Sequence, residues 1–180
     1  KGDYVKAEMF YQRALVIREK ALEPGHPDVA ASLNSLGILY QTKGDYVKAE
    51  PLHQRALAIR EKALGLEHLD VASSLANLAL LYYTKGDYVK AEPLYQRALA
   101  IWEKALGPEH PSVATSLLNL ANLYLAKGDY VKAESLYQRG LTILERALGP
   151  EHPEVALTLN ELANFYTTSG DLSKAVSFRA

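Results

Sequence analysis

The chain has 180 residues, a formal net charge of -1 and 48% hydrophobic residues, the balance of a globular chain with ample apolar surface to bury. Near-neutral charge lacks the basic excess of a dedicated nucleic-acid or membrane-surface binder, so neither nucleic acid nor membrane is expected as a partner. With no cysteine, disulfides, thiolate catalysis and cysteine metal sites are excluded, which suits a reducing, cytoplasmic setting; no apolar run approaches the roughly 20 residues that span a bilayer.

The chain opens on KGDYVKAEMFYQRALVI at Lys1. The string returns as KGDYVKAEPLHQRALAI at Lys43, KGDYVKAEPLYQRALAI at Lys85 and KGDYVKAESLYQRGLTI at Lys127, 42 residues apart, and as a decayed SGDLSKAVSF at Ser169. A fixed period of roughly 20–50 residues signals a solenoid, a propeller or another array. Beginning and ending inside a repeat, the sequence reads as a fragment of a longer array. A single domain over residues 1–180 is expected, with units starting near 1, 27, 69, 111 and 153.

Each period predicts two helices. Between Ser112 and Gly128, Leu117, Leu120, Ala121 and Tyr124 recur at i, i+3, i+4 and i+7, one helical face. Between Asp129 and Gly149, Ala133, Leu136, Tyr137, Gly140, Ile143 and Leu144 form a second apolar stripe. No segment alternates as a strand does. Gly128 sits where a helix C′ residue takes positive φ, and Asp129 can cap the next helix. Gly107-Pro108-Glu109-His110-Pro111 closes one unit and opens the next, with Pro111 suited to a first helical position. Leu66 and Leu69 replace both prolines one unit earlier; that junction is expected to keep its shape with less rigidity. Pro51 and Pro93 fall early inside second helices, where each removes one backbone hydrogen bond.

A helix pair of this size buries both faces only by stacking on its neighbours. Leu75, Leu78, Ala79 and Tyr82, followed by Ala91, Tyr95 and Ala98, resemble the tetratricopeptide repeat pattern. Leu33, Leu36, Gly37 and Tyr40, with Ala49, His53 and Ala56, do the same one unit earlier, as do Leu117 to Gly140 and Leu159 to Tyr166 in later units. The resemblance implies an all-α fold, a right-handed α-solenoid of antiparallel helix pairs. Where the family usually has proline near the end of the second helix, this chain has Glu19, Glu61, Glu103 and Glu145. The second helix can then run on, and the longer unit is similar to the kinesin-light-chain-like branch, whose members bind peptide segments of partner proteins.

The resemblance also implies that first helices line a concave groove. The positions one face over from the core leucines are Asn34, Ser35, Ile38 and Gln41; Ala76, Asn77, Leu80 and Tyr83; Leu118, Asn119, Asn122 and Leu125; and Asn160, Glu161, Asn164 and Thr167. An asparagine amide both donates and accepts, so it can hold a peptide N–H and C=O together. With successive helices about 8–10 Å apart and an extended chain rising about 3.3 Å per residue, one asparagine per unit meets about every third peptide residue. Asn77 and Asn119 share one register, which Ser35 and Glu161 fill in the flanking units. No lysine or arginine stands at these positions, so a neutral or apolar protein or peptide segment is the expected partner. Tyr83 has two possible roles, contact with a ligand or packing on the next unit.

Other signals carry less. His26, His68, His110 and His152 recur once per unit, too far apart to converge on one ion; they are read as junction caps, and no metal is expected. Lys43, Lys85 and Lys127 read as solvated charges, and Tyr40, Tyr82, Tyr124, Tyr46, Tyr88 and Tyr130 as packing between units. No phosphate-binding loop and no nucleophile, base and orienting group recur, so no enzyme, catalytic residue or cofactor is expected. Two alternatives accompany the binding scaffold: self-association as a homo-oligomer through uncapped solenoid ends, and a regulatory arm of a larger signalling protein.

Overall fold

Two kinds of helix alternate along the computed structural model, which describes residues 3–170. The first kind comprises α2 (Pro27–Thr42), α4 (Leu69–Thr84), α6 (Pro111–Ala126) and α8 (Pro153–Ser169). The second comprises α1 (Tyr4–Ala21), α3 (Tyr46–Leu64), α5 (Tyr88–Leu106) and α7 (Tyr130–Leu148). Among the described residues there are no strands. The decayed copy that starts at Ser169 lies, after Gly170, outside the described residues.

The boundaries follow from local chemistry. Asp129 Oδ1 accepts from the Lys132 amide at 3.3 Å, and Asp3 and Asp45 start α1 and α3 in the same way. Each first-kind helix starts on a histidine whose Nδ1 accepts a backbone N–H two residues on, from Asp28 for His26, Asp70 for His68, Ser112 for His110 and Glu154 for His152. The recurrent histidines are therefore N-caps. Gly128 has φ 79, and the amides of Gly128 and Asp129 bond the carbonyls of Leu125 and Tyr124. That pattern closes α6 and delivers Asp129 directly as the cap of α7. The junction lacking prolines keeps the same bonds, with the Val71 amide on the His68 carbonyl at 2.9 Å. α3 and α5 continue through Pro51 and Pro93.

The chain divides into two compact units, residues 1–101 and 102–180. In unit 1, Val29, Ala30 and Leu33 of α2 and Ala56 of α3 are fully buried, with Leu15, Leu22, Leu52 and Ile59 packed around them. Each fully buried leucine contributes about 1.5–3 kcal/mol. Small residues at Ala49 and Ala56 let α3 approach α2 closely. His53 takes the register held by tyrosine in α5 and α7 and is fully buried. Its Nδ1–H donates to Asn34 Oδ1 at 3.1 Å, Asn34 Nδ2 donates to Ser74 Oγ at 3.0 Å, and Arg60 Nη1 donates to Ser74 Oγ at 2.9 Å. A polar chain thus ties α3, α2 and α4 together. Burial, with no charged partner, pushes the His53 pKa down to about 4.

Tyr40 and Tyr82 are buried at the seams between successive repeats of unit 1. The Tyr82 hydroxyl donates to Glu50 Oε1 at 2.9 Å, and Lys85 pairs with Glu50 Oε2; Tyr40, Glu8 and Lys43 repeat the arrangement. Lys85 and Lys90 also lie 5.6 and 5.1 Å from the centroid of the Tyr82 ring. Lys43 and Lys85 are exposed, as solvated charges should be, and each also pairs with a glutamate of the preceding repeat. Glu19 and Glu61, which stand at the family's proline position, have a partner as well. Arg55 pairs with Glu19 at 2.7 Å and Arg97 with Glu61 at 2.5 Å, linking consecutive second-kind helices.

In unit 2, Leu117, Leu120 and Ala121 of α6, Ala133, Tyr137 and Ile143 of α7, and Leu162 and Phe165 of α8 are buried and form the core. The Phe165 ring lies 5.6 Å from Tyr137 and 5.0 Å from Tyr166. A Cβ on Gly140 would stand 2.9 Å from Leu118 Cδ2, so the glycine makes room for that leucine. Tyr130, expected as packing, is 42% exposed with one edge on Phe165. Arg139 pairs with Glu103 at 2.7 Å, repeating the linkage of unit 1.

Candidate functional site

The side of α2 and α4 not used for packing carries residues at i, i+3, i+4 and i+7 spacing. Ile38 and Leu80, at 47% and 41% exposure, are its apolar centre. They line an open cleft of about 440 Å³ with Gln41, Thr42, Tyr46, Asn77 and Thr84. The surface therefore offers two apolar side chains rimmed by two amides and three hydroxyls. Asn77 is half-buried at its edge, and Leu80 lies beside it. Tyr46, expected only as packing, is part of the wall.

Three expected residues of unit 1 differ from this pattern. Asn34 is a correction: it is 6% exposed, and both ends of its amide are committed, to His53 and Ser74, so it is a core residue. The Ser35 hydroxyl turns back to donate to the Ala31 carbonyl at 3.0 Å. Tyr83 packs on Tyr88 with ring centroids 5.8 Å apart.

Unit 2 presents a different surface. Leu118 of α6, Leu144 of α7 and Leu157 of α8 line a cleft of about 220 Å³ together with Thr115, Glu154, Thr158 and Glu161. Asn119 is half-buried on α6, Asn122 accepts a hydrogen bond from the Tyr137 hydroxyl, and Asn160 and Asn164 are exposed on α8. Only Leu118 and Glu161 of the expected positions come together here. Glu161 Oε2 is buried without a hydrogen-bond partner, and burial raises the carboxyl pKa above its ordinary value. Glu154, Leu144 and Leu157 were missed in the sequence. The available signal was a paired departure: Glu161 stands in the register of Asn77, and Leu144 in the register of Arg60.

A larger cleft, about 600 Å³, lies where the α1–α2 turn meets the end of α3, lined by Glu23, Pro24, Gly25, His26, Pro27, Lys62 and Ala63. Its walls are the α1–α2 turn, the first residue of α2 and the end of α3, away from the outward positions of α2 and α4. Among the described residues no group of three or more His, Asp or Glu is arranged to hold a metal ion, and no helix is long and apolar enough to cross a membrane.

The tetratricopeptide repeat family profile matches residues 1–62, 39–99, 70–146 and 117–178. Among solved structures, BtubC (BKLC) from P. vanneervenii is similar at 29% identity and TM-score 0.85, covering 98% of this chain and 70% of that one. A kinesin-light-chain-type protein of nearly identical TPR-like repeats from Podosopora anserina is 31% identical with TM-score 0.82, covering 98% of this chain and 84% of that one. A substituted form of the same protein gives 30% and 0.84 over the same shares. No curated protein matches the sequence. Matched repeat by repeat and folded as an all-α solenoid like these kinesin-light-chain-like neighbours, the chain belongs to the tetratricopeptide repeat family.

Proposed function

We propose that this chain is a non-catalytic scaffold that holds an extended segment of a partner protein along the outward face of its first-kind helices. Repeat proteins of this family are generally protein-interaction scaffolds. The observation that carries the finer reading is the cleft of unit 1, where Ile38 and Leu80 form an apolar floor with the Asn77 and Gln41 amides at its rim. An apolar floor supplies area, and a few fixed polar groups supply orientation. Asn77 holds a backbone N–H and C=O of a segment bound to unit 1, and Asn119 offers the same amide chemistry to a segment bound to unit 2. Each such hydrogen bond contributes about 0.5–1.5 kcal/mol. Alanine at both positions is expected to weaken peptide capture about tenfold or more with circular dichroism unchanged. Undiminished capture by that double variant contradicts the assignment.

A second reading, self-association, is favoured by α1. Met9, Phe10, Tyr11 and Ile17 are 41–59% exposed, whereas the α3 residues in register with Tyr11 and Ala14, His53 and Ala56, are fully buried. Light scattering over a dilution series tests it: dissociating oligomers support self-association, and a monomer at every concentration removes it.

A further inference from the structure

Unit 1 has a guanidinium built into each repeat. Arg60 of α3 donates through Nη1 to Ser74 Oγ at 2.9 Å and to the Asp70 carbonyl at 3.0 Å, both on α4. Arg18 of α1 does the same toward Ser32 and Asp28 of α2. In unit 2 the residue of that register on α7 is Leu144, which is buried and brings no charge. The hydroxyl in the Ser74 register, Thr158, instead donates to the Glu154 carbonyl of its own helix at 2.9 Å.

The place where unit 1 keeps its own cation is, in unit 2, a cleft. Leu118, Leu144 and Leu157 form its walls, and Glu154 and Glu161 supply carboxylates. Glu161 Oε2 is shielded from solvent with no hydrogen-bond partner. Nothing in α6, α7 or α8 compensates it, and burial raises its carboxyl pKa. A carboxylate so placed disfavours the free fold, and a docked cation offsets that cost.

We propose that this cleft receives the lysine or arginine side chain of a bound partner segment, its alkyl stem on Leu118, Leu144 and Leu157 and its head group against Glu161, with Glu154 at the mouth. The assignment rests on the groove reading above and changes the expected partner from a wholly neutral segment to one with a cationic residue over unit 2. The walls match such a side chain because lysine and arginine carry apolar stems beneath their charge. Two carboxylates are too few to build a cation site from protein ligands alone, whereas one ion-paired head group needs no more.

The test is an array of decapeptides with a fixed central lysine, arginine, norleucine or glutamate between randomised neutral positions. It is probed with the wild-type chain and with Glu161→Gln. On the wild type, the lysine or arginine set should bind about tenfold or more tighter than the norleucine set, and the comparison of lysine with arginine tells which head group fits. Glu161→Gln should bring the lysine, arginine and norleucine sets within about twofold of one another, with norleucine binding unchanged and Tm equal to or above wild type. Norleucine peptides that bind the wild type as well as lysine and arginine peptides do, or a cation preference that survives Glu161→Gln, overturns the cation subsite and leaves the groove reading standing. Absence of binding by every set overturns both.

Discussion

Acidification should unlock unit 1 through His53. The ring is fully buried, Nδ1–H bonds Asn34, and Nε2 has no partner, so a second proton at Nε2 has nowhere to donate. Its pKa falls from 6.5 to about 4 in the folded chain. At about 1.36 kcal/mol per unit, the difference corresponds to about 3 kcal/mol. The sign follows from linkage. Between the two values the unfolded chain binds the proton and the folded chain does not, so stability falls as pH drops from about 6.5 to about 4 and is flat above and below for this group. Carboxylates such as Glu50, held below the ordinary range mainly by its hydrogen bond from Lys85, also lose stability in acid, so a reference protein is needed. Asn34→Ala, Gly37→Ala and His53→Tyr together install the combination already present at Ala76, Ala79 and Tyr95. Urea unfolding of both proteins across this range should show a difference that is constant near neutral pH and shifts by about 3 kcal/mol against the wild type by about pH 4. Parallel pH profiles refute the reasoning, as does an NMR titration of His53 with its midpoint near 6.5.

Two glycines should respond differently to alanine. At Gly37 the added Cβ meets three atoms of the fixed His53 ring at 2.8–3.1 Å, so Gly37→Ala should cost about 1–3 kcal/mol by urea unfolding. At Gly140 the obstacle is the movable end of Leu118, so the helix-propensity gain of up to about 1 kcal/mol should leave Gly140→Ala neutral or stabilising. Ser74→Ala removes the acceptor of both Asn34 Nδ2 and Arg60 Nη1 and should cost about 1–3 kcal/mol. Arg97→Ala breaks a more exposed pair with Glu61 and should cost about 1 kcal/mol or less, with the loss fading in high salt. Leu69→Pro should raise stability by about 0.4–1 kcal/mol in a thermal melt, because Leu69 opens α4 and His68 before it is already extended, with ψ 144.

The helices, their caps and their order were legible in the sequence because their causes are local. An aspartate three residues before its amide partner and a glycine just past a helix end act within one turn. The site was legible in part. Register alone identified Asn77, Leu80, Leu118 and Glu161 as outward positions. It failed at Asn34, whose role depends on a histidine 19 residues later on another helix. Its equivalents Ala76 and Leu118 face different partners. The pairing of the seam lysines was not legible for the same reason, since Lys43 finds its partner, Glu8, 35 residues away. Departures from the repeat come in spatial pairs: Gly37 with His53, Gly140 with Leu118, Leu144 with Glu161. Read singly they look like drift, and only the packed helices show which pairs meet.

The most direct test of the binding face is amide chemical-shift mapping of the isotope-labelled chain with the best-binding pool from the peptide array. The account predicts changes centred on Ile38, Asn77 and Leu80 in one unit and on Leu118, Asn119 and Glu161 in the other. Changes confined to the exposed second-kind positions Val47, Val89 and Val131, with those residues unmoved, would contradict it.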